Sequence, residues 1–315
     1  MIIEKTTKIG MAFFMLLITL LMDCSCIKHV ESFPENEGTG ASEDYQLIWE
    51  DNFDGSSIDT SNWIVVRWGA DTVPAGELEI YQPSNVTMEE EPVSGNSCMV
   101  LTAKIDTNKS GKGQITSGRV DSYGKRQFQY GKIEASIKLP KTANGLWPAF
   151  WMLGTDEMEI GWPMCGEIDI MEMGSSYAYK NNTQETLNFG TIHYGPREEN
   201  WEHPMIYQWY NNEYSLQDGS FHLYTLIWDE NRINMFLDMD RFPDRAPYFS
   251  QAINFVDKEG YNLADFFRKP FRIIFNLAVG GEYPDIYEID GIKALNATNN
   301  FEAKMYIDFV RVLQK

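Results

Sequence analysis

Cysteine, histidine and basic residues are scarce in this chain, and long apolar runs are nearly missing. Only four Cys and four His occur among 315 residues. Cys24 and Cys26 lie close to the N-terminus, so Cys98 and Cys165 alone serve the rest of the chain and leave room for one bridge at most. A disulfide framework is excluded, and stability has to come from a large core. Lys and Arg number 26 against 46 Asp and Glu, a formal net charge of −20. Glu4, Lys5, Lys8 and Asp23 cancel one another, so processing near residue 25 would leave that charge intact. Such acidity argues against nucleic acid and against an acidic polymer held by broad electrostatic attraction, and suits a neutral ligand. A sustained helical period is also missing between Trp49 and Lys315, as are internal repeats.

The one apolar run is Ile9 to Met22, preceded by Lys5 and Lys8 and followed by Cys24-Ser25-Cys26. This is the layout of a bacterial export signal, too short and too weakly flanked for a membrane span. A cysteine directly after such a run is where a lipoprotein precursor is cleaved and acylated. Cys26, with the small Ser25 ahead of it, is preferred to Cys24 as the lipid attachment residue, and an ordinary soluble secretory signal is the competing reading. The expected organisation is a signal segment over 1–26, a flexible tether over 27–45 rich in Glu, Ser, Gly and Pro, and one domain over 46–315. The expected location is the bacterial cell surface or outer membrane, with membrane contact only through the lipid.

What the body of the chain does contain is short alternating segments separated by turn residues. Strands are expected over Met99 to Lys104, Lys132 to Lys138, Phe189 to Tyr194, Leu223 to Trp228, Ile233 to Leu237, Phe271 to Leu277 and Met305 to Leu313. Turns are expected at Asp54-Gly55-Ser56, Ser94-Gly95-Asn96, Asn144-Gly145 and Gly280-Gly281. The stretch from Glu198 to Asp218, with Trp201, Tyr207, Trp209, Tyr210 and Tyr214 among polar residues, reads as a long aromatic loop. The fold class is all-β, most simply a two-sheet sandwich of antiparallel strands. Aromatic residues make up 14% of the chain and include nine Trp, which is either a Trp-rich core or a surface for stacking on sugar rings.

The segment Gly166-Glu167-Ile168-Asp169-Ile170-Met171-Glu172-Met173 carries the chemistry. Residues two apart in a strand share a face, so Glu167 and Asp169 point one way while Ile168 and Ile170 enter the core. Glu172 is out of phase, and a β-bulge taking up one residue near Met171 would return it to the other acids. Two carboxylates flanking a sugar linkage suffice for glycoside hydrolysis, one attacking the anomeric carbon and one protonating the leaving oxygen. A third acid nearby separates their roles, because like charges at short range do not all ionise cheaply. Glu167 is expected as nucleophile, Asp169 as the residue that orients it, and Glu172 as acid and then base. The spacing alone is weak, since with 46 acids in 315 residues it arises about once by chance. The apolar frame of Ile168, Ile170 and Met171 is what distinguishes it from a solvated charge run, and its extended form from a calcium loop.

This segment resembles the E-I-D-[IV]-x-E signature of glycoside hydrolase family 16, in the longer, bulged form of its laminarinase-like branch. The resemblance runs from about Trp49 to Val312. It includes Thr116-Ser117-Gly118-Arg119, Tyr130 to Ala135, Gly145-Leu146-Trp147-Pro148-Ala149-Phe150-Trp151, Gly161-Trp162-Pro163, Gly190 to Tyr194, Leu277 to Gly281 and Asp308 to Val312. It implies a β-jelly-roll sandwich of two antiparallel sheets with an open concave cleft, and an endo-acting, retaining enzyme that needs no cofactor. By the same resemblance Trp147, Trp151, Trp162, His193, Glu77 and Arg119 contact substrate, with Trp147 and Trp151 on the glycone side, Trp162 towards the leaving group and His193 close to Glu172. A core role for each Trp and a structural hydrogen bond for His193 are the competing readings.

Two departures from the pattern bear on substrate and metal. Where many relatives carry Asn-x-Glu-Leu-Gln-x-Tyr, this chain reads Ala75-Gly76-Glu77-Leu78-Glu79-Ile80-Tyr81. Where an acid is usual for a structural calcium, Asn52 stands, which leaves only Asp308 for such an ion. The leading expectation is hydrolysis of internal β-linkages in a neutral polysaccharide, β-1,3- or mixed β-1,3/1,4-glucan, by a monomer. The alternatives are an endo-β-galactosidase on mucin-type O-glycans or algal galactans and, less favoured because all three acids are present, a non-catalytic surface glycan-binding protein.

Overall fold

In a computed structural model, residues 45–68, 75–111, 113–198 and 202–315 are described. Cys24, Cys26, nearly all of the tether and Trp201 lie outside them. Two sheets stack face to face. The first has the spatial order β12 (Met205–Asn211), β11 (Leu187–His193), β10 (Glu167–Glu172), β9 (Leu146–Gly154), β16 (Phe271–Val279), β7 (Arg119–Asp121) and β2 (Ile64–Val65). The second runs β15 (Phe249–Ala252), β14 (Arg232–Leu237), β13 (His222–Trp228), β8 (Gly131–Lys138), β17 (Glu302–Gln314), β5 (Ser97–Ile105), β6 (Ile115–Ser117) and β3 (Ile80–Tyr81). To it β1 (Gln46–Asp51) adds beside β17, and β4 (Val86–Glu90) beside β5. Each expected strand is present within a few residues of its expected ends. One pair departs from the antiparallel expectation: β3 runs parallel to β6.

The alternation in each strand explains the sandwich. Met99, Leu101, Ile133, Ile137, Leu226, Ile307 and Val312 of one sheet meet Phe150, Met152, Ile168, Ile192, Ile273, Phe275 and Val279 of the other in one buried cluster. Phe150 stacks on Phe275 with ring centres 4.7 Å apart. Cys98 and Cys165 are both buried and free, so no bridge ties the sheets. Trp63 and Trp228 are core residues at 1% exposure, whereas Trp68, Trp147, Trp151, Trp162 and Trp209 are only partly buried. The core reading of the Trp content therefore holds for Trp63 and Trp228.

Residues 205–211, expected in a loop, form the edge strand β12 instead. The period of two is there: Met205, Tyr207 and Trp209 face one way, while Ile206 and Tyr210 pack against the core. Aromatic side chains on both faces hide this alternation from a hydropathy reading.

The central irregularity is in β10. Against β9, Asp169 pairs with Trp151 and Met171 with Phe150, so Ile170 has no counterpart. Against β11, Asp169 pairs with Thr191 and Glu172 with Phe189, so two residues oppose Gly190 alone. Ile170 and Met171 are both fully buried in the core. The free carbonyl of Ile170 accepts a hydrogen bond from the Tyr248 hydroxyl. Gly190 has no room for a side chain, since a Cβ there would lie 2.6 Å from Met235 Sδ and 3.0 Å from Phe249 Cβ. Gly190→Ala is expected to destabilise the protein by about 1–3 kcal/mol through overpacking. Urea unfolding reads the loss, and an unchanged midpoint would show that the core opposite the bulge has slack.

Candidate active site

Directly opposed residues of an antiparallel pair share a face, so the register lays out the exposed side of the first sheet row by row. One row reads Trp209, Phe189, Glu172, Ala149, Asn276, Arg119; the next reads Tyr207, Thr191, Asp169, Trp151, Ile274, Asp121. A third reads Met205, His193, Glu167, Leu153, Arg272. The bulge at Ile170 is what puts Glu172 on this face, as the sequence pattern requires. All three acids lie near the middle of the sheet, with aromatic side chains on both flanks.

Each of the two outer acids is held by an indole. Trp162 Nε1 donates to Glu167 Oε2 at 3.0 Å, and Trp147 Nε1 donates to Glu172 Oε1 at 2.9 Å. Trp147 in turn stacks on Tyr283, ring centres 5.0 Å apart, and the Tyr283 hydroxyl donates to the Glu172 carbonyl at 3.3 Å. An indole N–H pins one carboxylate oxygen and leaves the other free for a reacting atom. Trp151, opposite Asp169, points its N–H elsewhere: its Nε1 donates to Asn276 Oδ1 at 2.6 Å.

His193 pairs with Glu167 across the strands, and its Nε2 is 3.1 Å from Asp169 Oδ2 and 3.8 Å from Glu167 Oε1. It is also near enough to Glu172 for its charge to act on that carboxyl. His193 Nδ1 lies 2.7 Å from His203 Nε2, a hydrogen bond in which one ring must donate and the other accept. Glu77 accepts from the Tyr81 hydroxyl at 2.9 Å. Arg119, 5% exposed, lies 4.3 Å from the Trp68 ring centre and 4.8 Å from that of Trp151, so it backs the aromatic floor more than it presents a free cation.

The electrostatics follow from crowding without solvent. Burial, then the Asp169 charge, push the Glu167 carboxyl up to about 8. Burial and then the Glu172 charge drive Asp169 well above the carboxylate range, and burial raises Glu172 too. Asp169 is the worst place for a charge, because its Oδ2 is buried and His193, though near, is not aligned to donate to it. Acids this close do not all ionise cheaply, so the trio shares protons, and the charge on one member is among the causes that raise the next.

Oxygen and nitrogen atoms of Glu167, Asp169 and His193 lie within 4.8 Å of one another, the single such group of three among the described residues. Asp308 does not belong to it. Its Oδ1 accepts from the Asn96 amide at 3.0 Å and its Oδ2 from the Ser136 hydroxyl at 3.3 Å, while Asn52 is exposed.

Reasoning from sequence missed Asn276, Tyr283, Phe189, Trp209 and His203. Trp209 carried a signal, the alternation within 205–211; Asn276 and Tyr283 carried none, because only the pairing of β16 with β9 and a loop contact bring them in.

A carboxyl raised by folding binds its proton more tightly in the folded chain. Its penalty on stability is absent below the unfolded value of 4.5 and full above about 8. Glu167→Gln, which keeps an acceptor for Trp162, is therefore expected to equal the parent in stability near pH 4 and to exceed it by about 1–3 kcal/mol near pH 9. Thermal unfolding at the two pH values checks this; a variant less stable at pH 9 would refute the crowding.

Known proteins share the family pattern and the all-β fold of this chain. The family described as "Glycosyl hydrolases family 16" matches residues 80–247. Among solved structures, the GH16 protein of a Bacteroides ovatus mixed linkage glucan PUL, in complex with a G4G4G3G product, is 36% identical with a TM-score of 0.72, covering 85% of this chain and 100% of that one. The endo-β-1,3-glucanase of Pyrococcus furiosus is 33% identical with a TM-score of 0.67, over 86% and 94% of the two chains. The glucan endo-1,3-β-glucosidase A1 of Niallia circulans is 29% identical over 285 residues, which is 85% of this chain and 38% of that protein. The chain thus spans less than half the length of that curated relative.

Proposed function

The chain belongs to glycosyl hydrolase family 16, and from that membership we propose that it is an endo-acting, retaining β-glycanase. The observation that carries the reading is Glu167, Asp169 and Glu172 on one face of a bulged strand in the middle of the exposed sheet, the outer two each gripped by an indole N–H. The carboxylate of Glu167 attacks the anomeric carbon as Glu172 gives its proton to the departing glycosidic oxygen, and the C–O bond breaks. A glycosyl ester on Glu167 results. Glu172, now ionised, takes a proton from water, whose oxygen attacks the same carbon and releases Glu167. Asp169 holds its proton against Glu167 during the first step and so tunes the nucleophile.

Mixed β-1,3/1,4-glucan stands first as substrate and β-1,3-glucan second, an order supported by the higher identity to the structure from a mixed linkage glucan PUL. The mature protein is a monomer on this reading. Incubation with mixed-linkage glucan, laminarin, agarose, porphyran and mucin is expected to give oligosaccharides from a glucan with retained configuration at the new reducing end. Glu167→Ala and Glu172→Gln are each expected to lower kcat by about 10³-fold or more on the same polymer. Products from galactan or mucin alone would replace the glucan assignment, and binding to all without cleavage would replace the enzyme.

We further infer, from the sequence of the first 26 residues, that the chain is exported and held at the cell surface by a lipid on Cys26. Among the described residues no helix is long and apolar enough to cross a membrane. Labelled palmitate is expected to enter the wild type and Cys24→Ala but not Cys26→Ala; label lost only with Cys24→Ala would move the attachment point.

A further inference from the structure

A second pair of acids lies outside the catalytic trio, and the hydrolytic steps above make no use of it. Glu79 has zero exposure. Its Oε2 accepts from the backbone N–H of Val279 at 2.9 Å, and its Oε1, equally buried, meets no donor. The other side chains within hydrogen-bonding reach of it are the Glu77 carboxylate and the Tyr81 hydroxyl. The Tyr81 hydrogen is already committed, because its hydroxyl donates to Glu77 Oε2 at 2.9 Å. A buried oxygen surrounded by acceptors is satisfied only when it carries a hydrogen of its own.

From this pair a continuous chain of hydrogen bonds leads into the cleft. The Tyr81 hydroxyl accepts from Asn276 Nδ2 at 3.3 Å, and Asn276 Oδ1 accepts from Trp151 Nε1 at 2.6 Å. Trp151 lies directly across the strands from Asp169. Arg119, the cation on this side, covers Trp68, Trp151 and Tyr81 with its guanidinium, and no ion pair joins it to Glu79 among the described residues. Glu77 and Leu78 are pinned at the end of β16, by Leu78 N–H to the Val279 carbonyl and by the bridge of Glu77 with Gly280 just beyond the strand, which holds the backbone beside Glu79 in place.

We propose that Glu79 is a neutral carboxylic acid that donates to Glu77 and, through Tyr81 and Asn276, fixes the plane of Trp151; it is a positioning residue for the aromatic floor of the cleft. The inference rests on the proposed glycanase reading for its kinetic consequence only. Burial first, and the Glu77 charge second, hold the Glu79 proton well above the usual carboxylate range, which agrees with the geometry. Loss of that proton places a buried carboxylate beside the Glu77 carboxylate, so Glu77 and Tyr81 separate and Trp151 loses its fixed partner. The affected quantity is sugar binding, hence KM. The trio titrates separately and acts on kcat through Glu167.

The test has two arms on the full-length protein, wild type against Glu79→Gln and Glu79→Ala. In the first, without substrate, tryptophan fluorescence is titrated from about pH 5 to about pH 10, with Trp151→Phe identifying the signal of that ring. Wild type is expected to show an alkaline transition that Glu79→Gln abolishes, since an amide keeps a donor and has no proton to lose. In the second, KM and kcat are followed over the same range on the polymer that wild type cleaves. Glu79→Gln is expected to remove an alkaline rise in KM of about tenfold while leaving the kcat profile in place, and Glu79→Ala to raise KM about tenfold at every pH. Fluorescence that is flat with pH in wild type, or a transition that persists in Glu79→Gln, overturns the proposal. Absence of cleavage on every polymer tested defeats the glycanase reading and leaves the first arm to decide the role of Glu79 by itself.

Discussion

A strand of six residues has to put Ile168, Ile170 and Met171 into a dry core and Glu167, Asp169 and Glu172 onto the opposite face. Strict alternation does not allow it, because Ile170 and Met171 are adjacent. One extra residue, accommodated by a glycine opposite and a tyrosine hydroxyl on the stranded carbonyl, resolves the conflict. The placement of Glu172 depends on that bulge. So does the row of Trp209, Phe189 and Tyr283 beside it, which would otherwise flank an empty position. The bulge is held by the core and not by the acids, which is why a change at buried Gly190 reaches the chemistry.

Once three carboxylates share a face with little water, their protonation is decided by which of them have donors. Glu167 and Glu172 each have an indole N–H, and the buried Asp169 Oδ2 has none aligned. On the reading proposed, this difference gives two chemically similar glutamates different tasks. Stability is sacrificed for this, since charges crowded at high pH oppose folding. Glu77 and Glu79, beside the end of β16, repeat the same physics, where a buried carboxyl oxygen that meets no donor is satisfied by keeping a proton.

The aromatic residues divide along the same line. Trp63 and Trp228 fill space between the sheets, while Trp147 and Trp162 hold carboxylates through their N–H groups and keep their rings at the surface of the cleft. An indole suits this double use because its polar handle is at one edge and its flat faces stay apolar. Trp151 faces the same cleft but is tied to Asn276, so its orientation answers to the buried network behind it.

By itself the sequence determined the fold class, most strands and the three acids that come to share one face, because period-two alternation and the E-x-D-x-x-E spacing are local properties of the chain. It also foretold the need for a bulge, since the phase error at Glu172 is visible in the spelling. It misjudged residues 205–211, where large rings on both faces conceal a strand, and it gave no sign that His193 pairs with Glu167 and reaches Asp169. Register between strands decided the second point, and register depends on how two sheets fill one core. Asn276, Tyr283 and the bond of Val279 N–H to Glu79 were beyond reach for the same reason: their partners are 111 to 200 residues away in the chain. Which acid keeps its proton was also left to the tertiary structure, because desolvation and the direction of an indole N–H exist only after folding.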